Sequence, residues 1–267
     1  MFIWLPPSEG KYVPENGPAL DMQLLHAPVL TSARHHILHL YQQNMQDSAR
    51  SVAFPSADIM NIPCARACEV YNGVLYQAAS FASFDTDTQA RVDRVIRIVS
   101  GLYGVVTPNN MIAPYKLPIQ SRIGSSPVLS TYWKPFLDEA LSQEAAESII
   151  VDCRSGPYRK ACPAPWAHTV EVTVVRESGT QRSIVSHEAK RWRGLLTGAL
   201  IKHPHCDEVC DVIDLVDWIR DLLPSIHASD ARGREYYAQS LEVGPTRTYS
   251  AGGSHRIATL VICERMN

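Results

Sequence analysis

Ile149-Ile150-Val151-Asp152-Cys153-Arg154-Ser155-Gly156 is a short apolar run that delivers the chain into a charged, glycine-containing loop. Such a run, bounded by polar residues, predicts a buried strand. Upstream, Pro127 to Ser142 has the spacing of an amphipathic helix carrying Trp133. Downstream, His168 to Arg176 alternates, with Val170, Val172 and Val174 on one side. Across Ser178-Gly179-Thr180 it faces Ser183–Val185, which predicts a β-hairpin. Helix, buried strand and alternating strand in succession predict an α/β (mixed α+β) chain, a mixed sheet with surrounding helices.

The flanking sequence extends the pattern. Phe2 to Leu5 stops at Pro6-Pro7 and reads as an edge or first strand, followed by the polar loop Ser8-Glu9-Gly10-Lys11. Helices are predicted over Ser32 to Met45, Pro63 to Phe81 and Thr86 to Val95, the last leading into a strand at Val95–Val99. Ser100 to Pro108 holds two glycines around an aromatic and predicts a loop with unusual backbone angles. Ser186 to Lys202 is a predicted helix with Ser186 as N-cap and Pro204 as its stop, and Asp207 to Leu223 is another. Two tail strands follow, near Tyr236–Val243 and Ile257–Cys263. No boundary divides residues 1–267, so one domain is expected.

Composition narrows the function classes. Of 267 residues, 45% are hydrophobic and 19% charged, which excludes a disordered chain. Lys+Arg is 25 against Asp+Glu 27, a net charge of −2, so no global basic field draws the chain onto nucleic acid. Any such binding needs a local patch. The first residues lack a basic n-region, and no apolar stretch approaches the ~20 residues of a membrane span. A cytoplasmic protein with no membrane partner is expected. Seven cysteines, an odd count, predict reduced and mostly buried thiols.

Within the predicted helix Ser186–Lys202, His187, Lys190, Arg191 and Gly194 share one face, and Arg193 flanks it. Lys190, Arg191 and Arg193 beside Gly194 suit a phosphate or carboxylate; a solvated basic face is the competing reading. Arg154, Arg159 and Lys160 form a second basic cluster after a strand end, with Ser155 and Gly156 offering backbone amides. Tyr103 and Tyr115 are candidates to stack on a base, with Lys116 to meet a phosphate; packing is the alternative. Lys11 is a candidate anion-binding lysine outside any Walker motif, because the required Gly and Ser/Thr are missing around it. Cys64-x3-Cys68, Cys206-x3-Cys210 and His35-x3-His39 have spacings open to metal, but they sit in predicted helices without a companion motif. No resident metal is assigned. No nucleophile motif occurs.

Taken together, these segments resemble the YaaA peroxide-stress protein family. The resemblance rests on Pro6-Pro7-Ser8-Glu9-Gly10-Lys11, Tyr71-Asn72-Gly73-Val74-Leu75-Tyr76, Val99-Ser100-Gly101-Leu102-Tyr103-Gly104-Val105-Val106 and Pro114-Tyr115-Lys116-Leu117. Tyr132-Trp133, Val151-Asp152-Cys153-Arg154-Ser155-x-x-Tyr158 and Ala189-Lys190-x-x-Arg193-Gly194 follow in order. It covers roughly the first 200 residues. Thr107, Asn109-Asn110 and Pro118-Ile119-Gln120 depart from the family pattern.

The resemblance implies a single-domain fold with a positively charged cleft, a role in limiting free intracellular iron under hydrogen peroxide stress, and binding of DNA, preferably distorted duplexes. It also implies that Lys11, Lys116, Arg154, Lys190 and Arg193 converge. On the first reading Lys190, Arg191 and Arg193 contact DNA phosphates with low sequence specificity, with Lys116 and Arg154 alongside. On the alternative reading an enzyme acts on a small phosphorylated or nucleotide-like substrate. Tyr103, Tyr115 and Ser155 then position it, and Lys11 or Lys190 serves as electrostatic stabiliser or base. No cofactor and no oligomeric state are specified.

Overall fold

The structure is a computed structural model and describes residues 1–47, 59–179, 181–185, 188–230 and 232–265. In chain order its elements are β1 (Phe2–Leu5), α1 (Thr31–Asp47), β2 (Ala65–Arg66), α2 (Ala67–Val70), α3 (Val74–Ala79) and α4 (Thr86–Val95). Next come β3 (Ile96–Ser100), β4 (Gly104–Val106), β5 (Met111–Ile112), α5 (Leu129–Ala145), β6 (Ile149–Asp152) and α6 (Gly156–Ala161). The remainder is β7 (His168–Ser178), β8 (Gln181–Ile184), α7 (Ala189–Lys202), α8 (Val212–Leu222), β9 (His227–Ser229), β10 (Glu235–Val243), β11 (Arg247–Thr248) and β12 (Ser254–Glu264).

One mixed sheet runs in the order β4-β3-β1-β6-β7-β12-β10-β9. Its centre, β3-β1-β6-β7-β12, is parallel, and β4 and β10 close the two sides antiparallel. Parallel strands are covered on both faces and need continuous apolar runs. Ile3, Trp4 and Leu5 of β1, and Ile149, Ile150 and Val151 of β6, are accordingly buried. The register places Ile3 beside both Ile96 and Val151. One contiguous core reaches from Met1 to Ile262, as a single-domain α/β protein requires.

Phe2–Leu5 is therefore not an edge strand but the middle of the sheet. The chain leaves β1 for β3 on one side and later returns to β6 on the other. This reversal of strand order sets the loop after β1 at the carboxyl ends of β1 and β6, the usual ligand position in open α/β sheets.

Several local expectations are corrected. Residues 63–81 are not one helix. Asn72-Gly73 separates α2 from α3, and Tyr12 N donates to Val70 O at 2.9 Å while Lys11 and Tyr71 form a β-bridge. A Cβ on Gly73 would stand 2.7 Å from Ser8 Cβ, so tertiary packing fixes this break. The expected unusual backbone angle of this segment falls at Gly104, but residues 100–106 are the turn and return strand of the β3–β4 hairpin rather than a free loop. Gly104 has φ +71°, and a Cβ there would lie 2.8 Å from the Trp133 ring. Loop 153–155 feeds α6, which the sequence reading missed. The helix predicted from Ser186 begins at Ala189 with Glu188 as its N-cap residue; the expected cap Ser186 and His187 lie outside the described residues. The helix predicted from Asp207 begins at Val212, where the Asp211 carboxylate accepts from Ile213 N at 2.6 Å.

Arg154 is built into this framework. Its side chain and that of Asp152 are each 1% exposed. Nε donates to Asp152 Oδ1 at 2.9 Å and Nη2 to Oδ2 at 2.7 Å, and Nη2 also donates to Cys162 O at 2.9 Å. The guanidinium stacks 4.5 Å from the Trp4 ring centroid. With every face engaged, the group secures the loop after β6 to the sheet. Removing one member of such a pair strands a buried charge. We expect Asp152→Ala to cost about 3–5 kcal/mol of unfolding free energy, measured by denaturant titration.

Candidate functional site

The loop after β1 carries Ser8, Glu9, Gly10 and Lys11 out of the centre of the sheet. The Lys11 ammonium donates to Ser8 O at 2.8 Å, within its own loop. It sits 4.5 Å above the Tyr115 ring centroid and 5.6 Å from that of Tyr71. This is a cation–π bed rather than a salt bridge. Burial pushes the Lys11 pKa down to about 8, with Glu9 opposing the shift. Lowering follows because water is removed and neutral rings return little charge stabilisation.

The bed itself is a hydrogen-bonded core. Tyr71 and Tyr115 hydroxyls lie 3.0 Å apart, and Tyr115 meets Ser100 Oγ at 2.6 Å. Ser100 Oγ accepts from Tyr103 N at 3.0 Å, anchoring the β3–β4 turn. Tyr76 donates to Pro6 O at 2.8 Å, holding the loop after β1 from below. Burial holds the Tyr71, Tyr76 and Tyr115 hydroxyls well above their ordinary pKa, so these phenols are neutral. They support Lys11 as dipoles and ring faces, not as phenolates.

Lys190 reaches the same loop from the first turn of α7. Its Nζ stands 3.3 Å from Glu9 Oε1, and the Lys190 side chain is 45% exposed. Glu9 thus meets Lys190 directly and acts electrostatically on Lys11. Two ammoniums around one carboxylate leave a local surplus of positive charge. Tyr158 of α6 completes the neighbourhood. Burial pushes its hydroxyl up to about 12, with the Ile119 backbone amide and the Glu9 carboxylate acting on it.

The other predicted residues go elsewhere. Arg154 is buried as described. Tyr103 is fully buried, its hydroxyl donating to Ala113 O at 2.8 Å. Lys116 is exposed, and its backbone N donates to Tyr41 Oη at 3.2 Å. Ser155 is the N-cap residue of α6, half-buried, with no side-chain cap bond. The expected basic face of α7 is split: Arg191 reaches Ser229 O, and Arg193 Nε donates to Val172 O at 2.9 Å on β7.

Gly194 has a role different from the one expected. A Cβ there would run into the Leu75 carbonyl oxygen, and one on Gly198 would stand 2.8 Å from Ala79 O. The two glycines let α7 lie against the α3 backbone, and no room is left at Gly194 for a ligand. Tyr158 and Glu9 were missed by sequence reasoning. Glu9 stands in the quoted PPSEGK block, but nothing in its spacing predicted the approach of α7.

Two clefts lie apart from this site. One, of about 580 Å³, is lined by His26, Asp93, Arg94, Arg97, Thr107 and Asn109, among others. Of the departures from the family pattern, Thr107 and Asn109-Asn110 fall here, where Asn110 Oδ1 accepts from Thr107 N at 3.0 Å and His26 N at 2.9 Å. Beside it, Arg97 and His26 hold the Glu144 carboxyl down to about 2 against its partial burial. The other cleft, of about 550 Å³, lies around Tyr236 and Tyr237 near the β9 edge.

The sequence profile of the peroxide stress protein YaaA family matches residues 1–216. The chain belongs to the YaaA peroxide-stress protein family. Among its relatives, a UPF0246 protein of Streptomyces coelicolor is 27% identical over 236 residues, covering 83% of this chain and 90% of that protein. A UPF0246 protein of Corynebacterium efficiens is 32% identical over 230 residues, covering 79% and 91%. A counterpart in Corynebacterium glutamicum is 32% identical over 214 residues, covering 75% and 84%. The family match stops inside α8, so β9 to β12 lie beyond it.

Two measurements check this geometry. Gly194→Ala forces α7 away from α3 and should cost about 1–3 kcal/mol in denaturant unfolding. Lys11→Met removes a poorly solvated ammonium and should raise the melting temperature at pH 7. The folded pKa of about 8 lies below the ordinary 10.5, so the unfolded chain binds more proton between these values. Lys11 therefore adds stability as pH rises through that window. The advantage of Lys11→Met should shrink from pH 8 towards 10.5.

Proposed function

We propose that this family member serves the peroxide-stress response by binding a small phosphorylated, nucleotide-like ligand at Lys11, at the carboxyl ends of β1 and β6. The observation that carries the reading is the half-buried Lys11 amine on the Tyr115 ring, close to Glu9 and its Lys190 partner. A dianionic phosphate near Lys11 and Lys190 restores the charge stabilisation that burial removes from Lys11. The backbone around Ser8 supplies hydrogen bonds, and the Tyr115 and Tyr71 rings supply an apolar floor. Ser155 and Tyr158, at the start of α6, flank the ligand from the β6 side. If a reaction follows, Lys11 is the group suited to carry a proton near neutral pH.

Duplex DNA, with limitation of free iron as the physiological outcome, is the second reading. Family membership and the exposed Lys116 beside Tyr115 favour it. Against it, Arg191 and Arg193 are turned to backbone carbonyls on different strands and Arg154 is buried. These residues therefore supply no continuous track of free cations for a phosphate backbone.

Calorimetric titration with adenosine monophosphate and gel shifts with nicked duplex DNA separate the two. The first reading expects saturable nucleotide binding that falls at least about tenfold in Lys11→Met and in Lys190→Met but not in Lys134→Met. Duplex binding that weakens steeply with salt, without nucleotide binding, overturns it in favour of DNA. If neither ligand binds, both readings fall.

A further inference from the structure

We propose that Lys11 is a nucleophile, condensing with the carbonyl group of a small anionic aldehyde or ketone to form an imine. The inference rests on the anion-binding reading above and adds a covalent step to it. Three features of the site point this way.

First, the amine is placed for attack. Its hydrogen bond runs to the Ser8 carbonyl oxygen, an acceptor that leaves the nitrogen lone pair free once the ammonium has lost a proton. The rings of Tyr115 and Tyr71 lie against it, 4.5 and 5.6 Å from Nζ to the centroids, and they offer no anion to hold it charged. A partly desolvated lysine on an apolar floor is the usual form of an activated amine nucleophile.

Second, the aromatic floor is fixed. The Tyr71, Tyr115 and Ser100 hydroxyls bond one another at 3.0 and 2.6 Å, and Ser100 accepts from the Tyr103 amide. The rings cannot turn away without breaking that network, so the amine keeps its position. A lysine held only as a surface charge needs no such support.

Third, the neighbouring charge suits an anionic carbonyl compound. Lys190 reaches Glu9 at 3.3 Å and is 45% exposed, so an incoming phosphate or carboxylate can take over its ammonium. The anionic end then rests on Lys190 while the carbonyl carbon faces Lys11. Glu9, whose side chain is 91% exposed, is free to swing aside.

The step balances. The neutral amine attacks the carbonyl carbon, a C–N bond forms and the carbonyl oxygen leaves. That oxygen departs as water with the two hydrogens of the amine, and the product is an imine. No oxidant or reductant is consumed.

Pyridoxal 5′-phosphate, a phosphorylated aldehyde, is the probe. The full chain is incubated with it, treated with borohydride to fix any imine as a secondary amine, and mapped by peptide mass spectrometry. The expected result is labelling of Lys11 at least about tenfold above Lys116, Lys134 and Lys160, suppressed by excess adenosine monophosphate. Lys134→Met should keep both nucleotide binding and the Lys11 label. Even labelling of the exposed lysines with Lys11 spared overturns the imine. If nucleotide binds but Lys11 is spared, only the covalent step fails. If nucleotide does not bind either, the anion site fails with it.

Discussion

The structure depends on β1 being held between β3 and β6. Only four residues long, it is shielded by parallel neighbours on both sides and by apolar side chains on both faces. Its backbone groups pair with strands that arrive ninety or more residues later. That constraint fixes where the chain must emerge. The loop after β1 leaves from the middle of the sheet rather than its edge, at the point where the strand order reverses.

The site is built on that emergence. Pro6 O receives the Tyr76 hydroxyl, Lys11 bridges to Tyr71, and Gly73 packs against Ser8. The hairpin between β3 and β4 then closes beneath it through Ser100, Tyr115 and Trp133, whose indole donates to Gly101 O at 2.9 Å. From the far side, α7 comes close because Gly194 and Gly198 allow its backbone against α3, and this brings Lys190 to Glu9. Most of the shared sequence blocks therefore serve packing. Lys11 and Lys190 carry the charge, and Tyr115 underlies Lys11.

This division explains why Arg154 and Arg34 are not available to a ligand. Buried guanidiniums need partners, and Arg154 finds Asp152 while Arg34 is taken by backbone carbonyls at Tyr103 and Val105. The chain as a whole is near neutral, with a net charge of −2.

The sequence alone determined the strands Phe2–Leu5, Ile149–Val151 and the β7–β8 hairpin, because apolar runs and alternation are written into consecutive residues. It also determined family membership, through ordered blocks that include Lys11, Tyr115 and Lys190. It did not determine that residues 63–81 would break at Asn72-Gly73, since the break is imposed by Ser8 and Tyr12 from another part of the chain. Nor did helical spacing reveal that Lys190, Arg191 and Arg193 would part company, because each direction is set by the element α7 meets. Gly194 read as space for a ligand and is space for α3. Local pattern records which face of an element is apolar; only the tertiary structure chooses the partner, and with it which charges stay free.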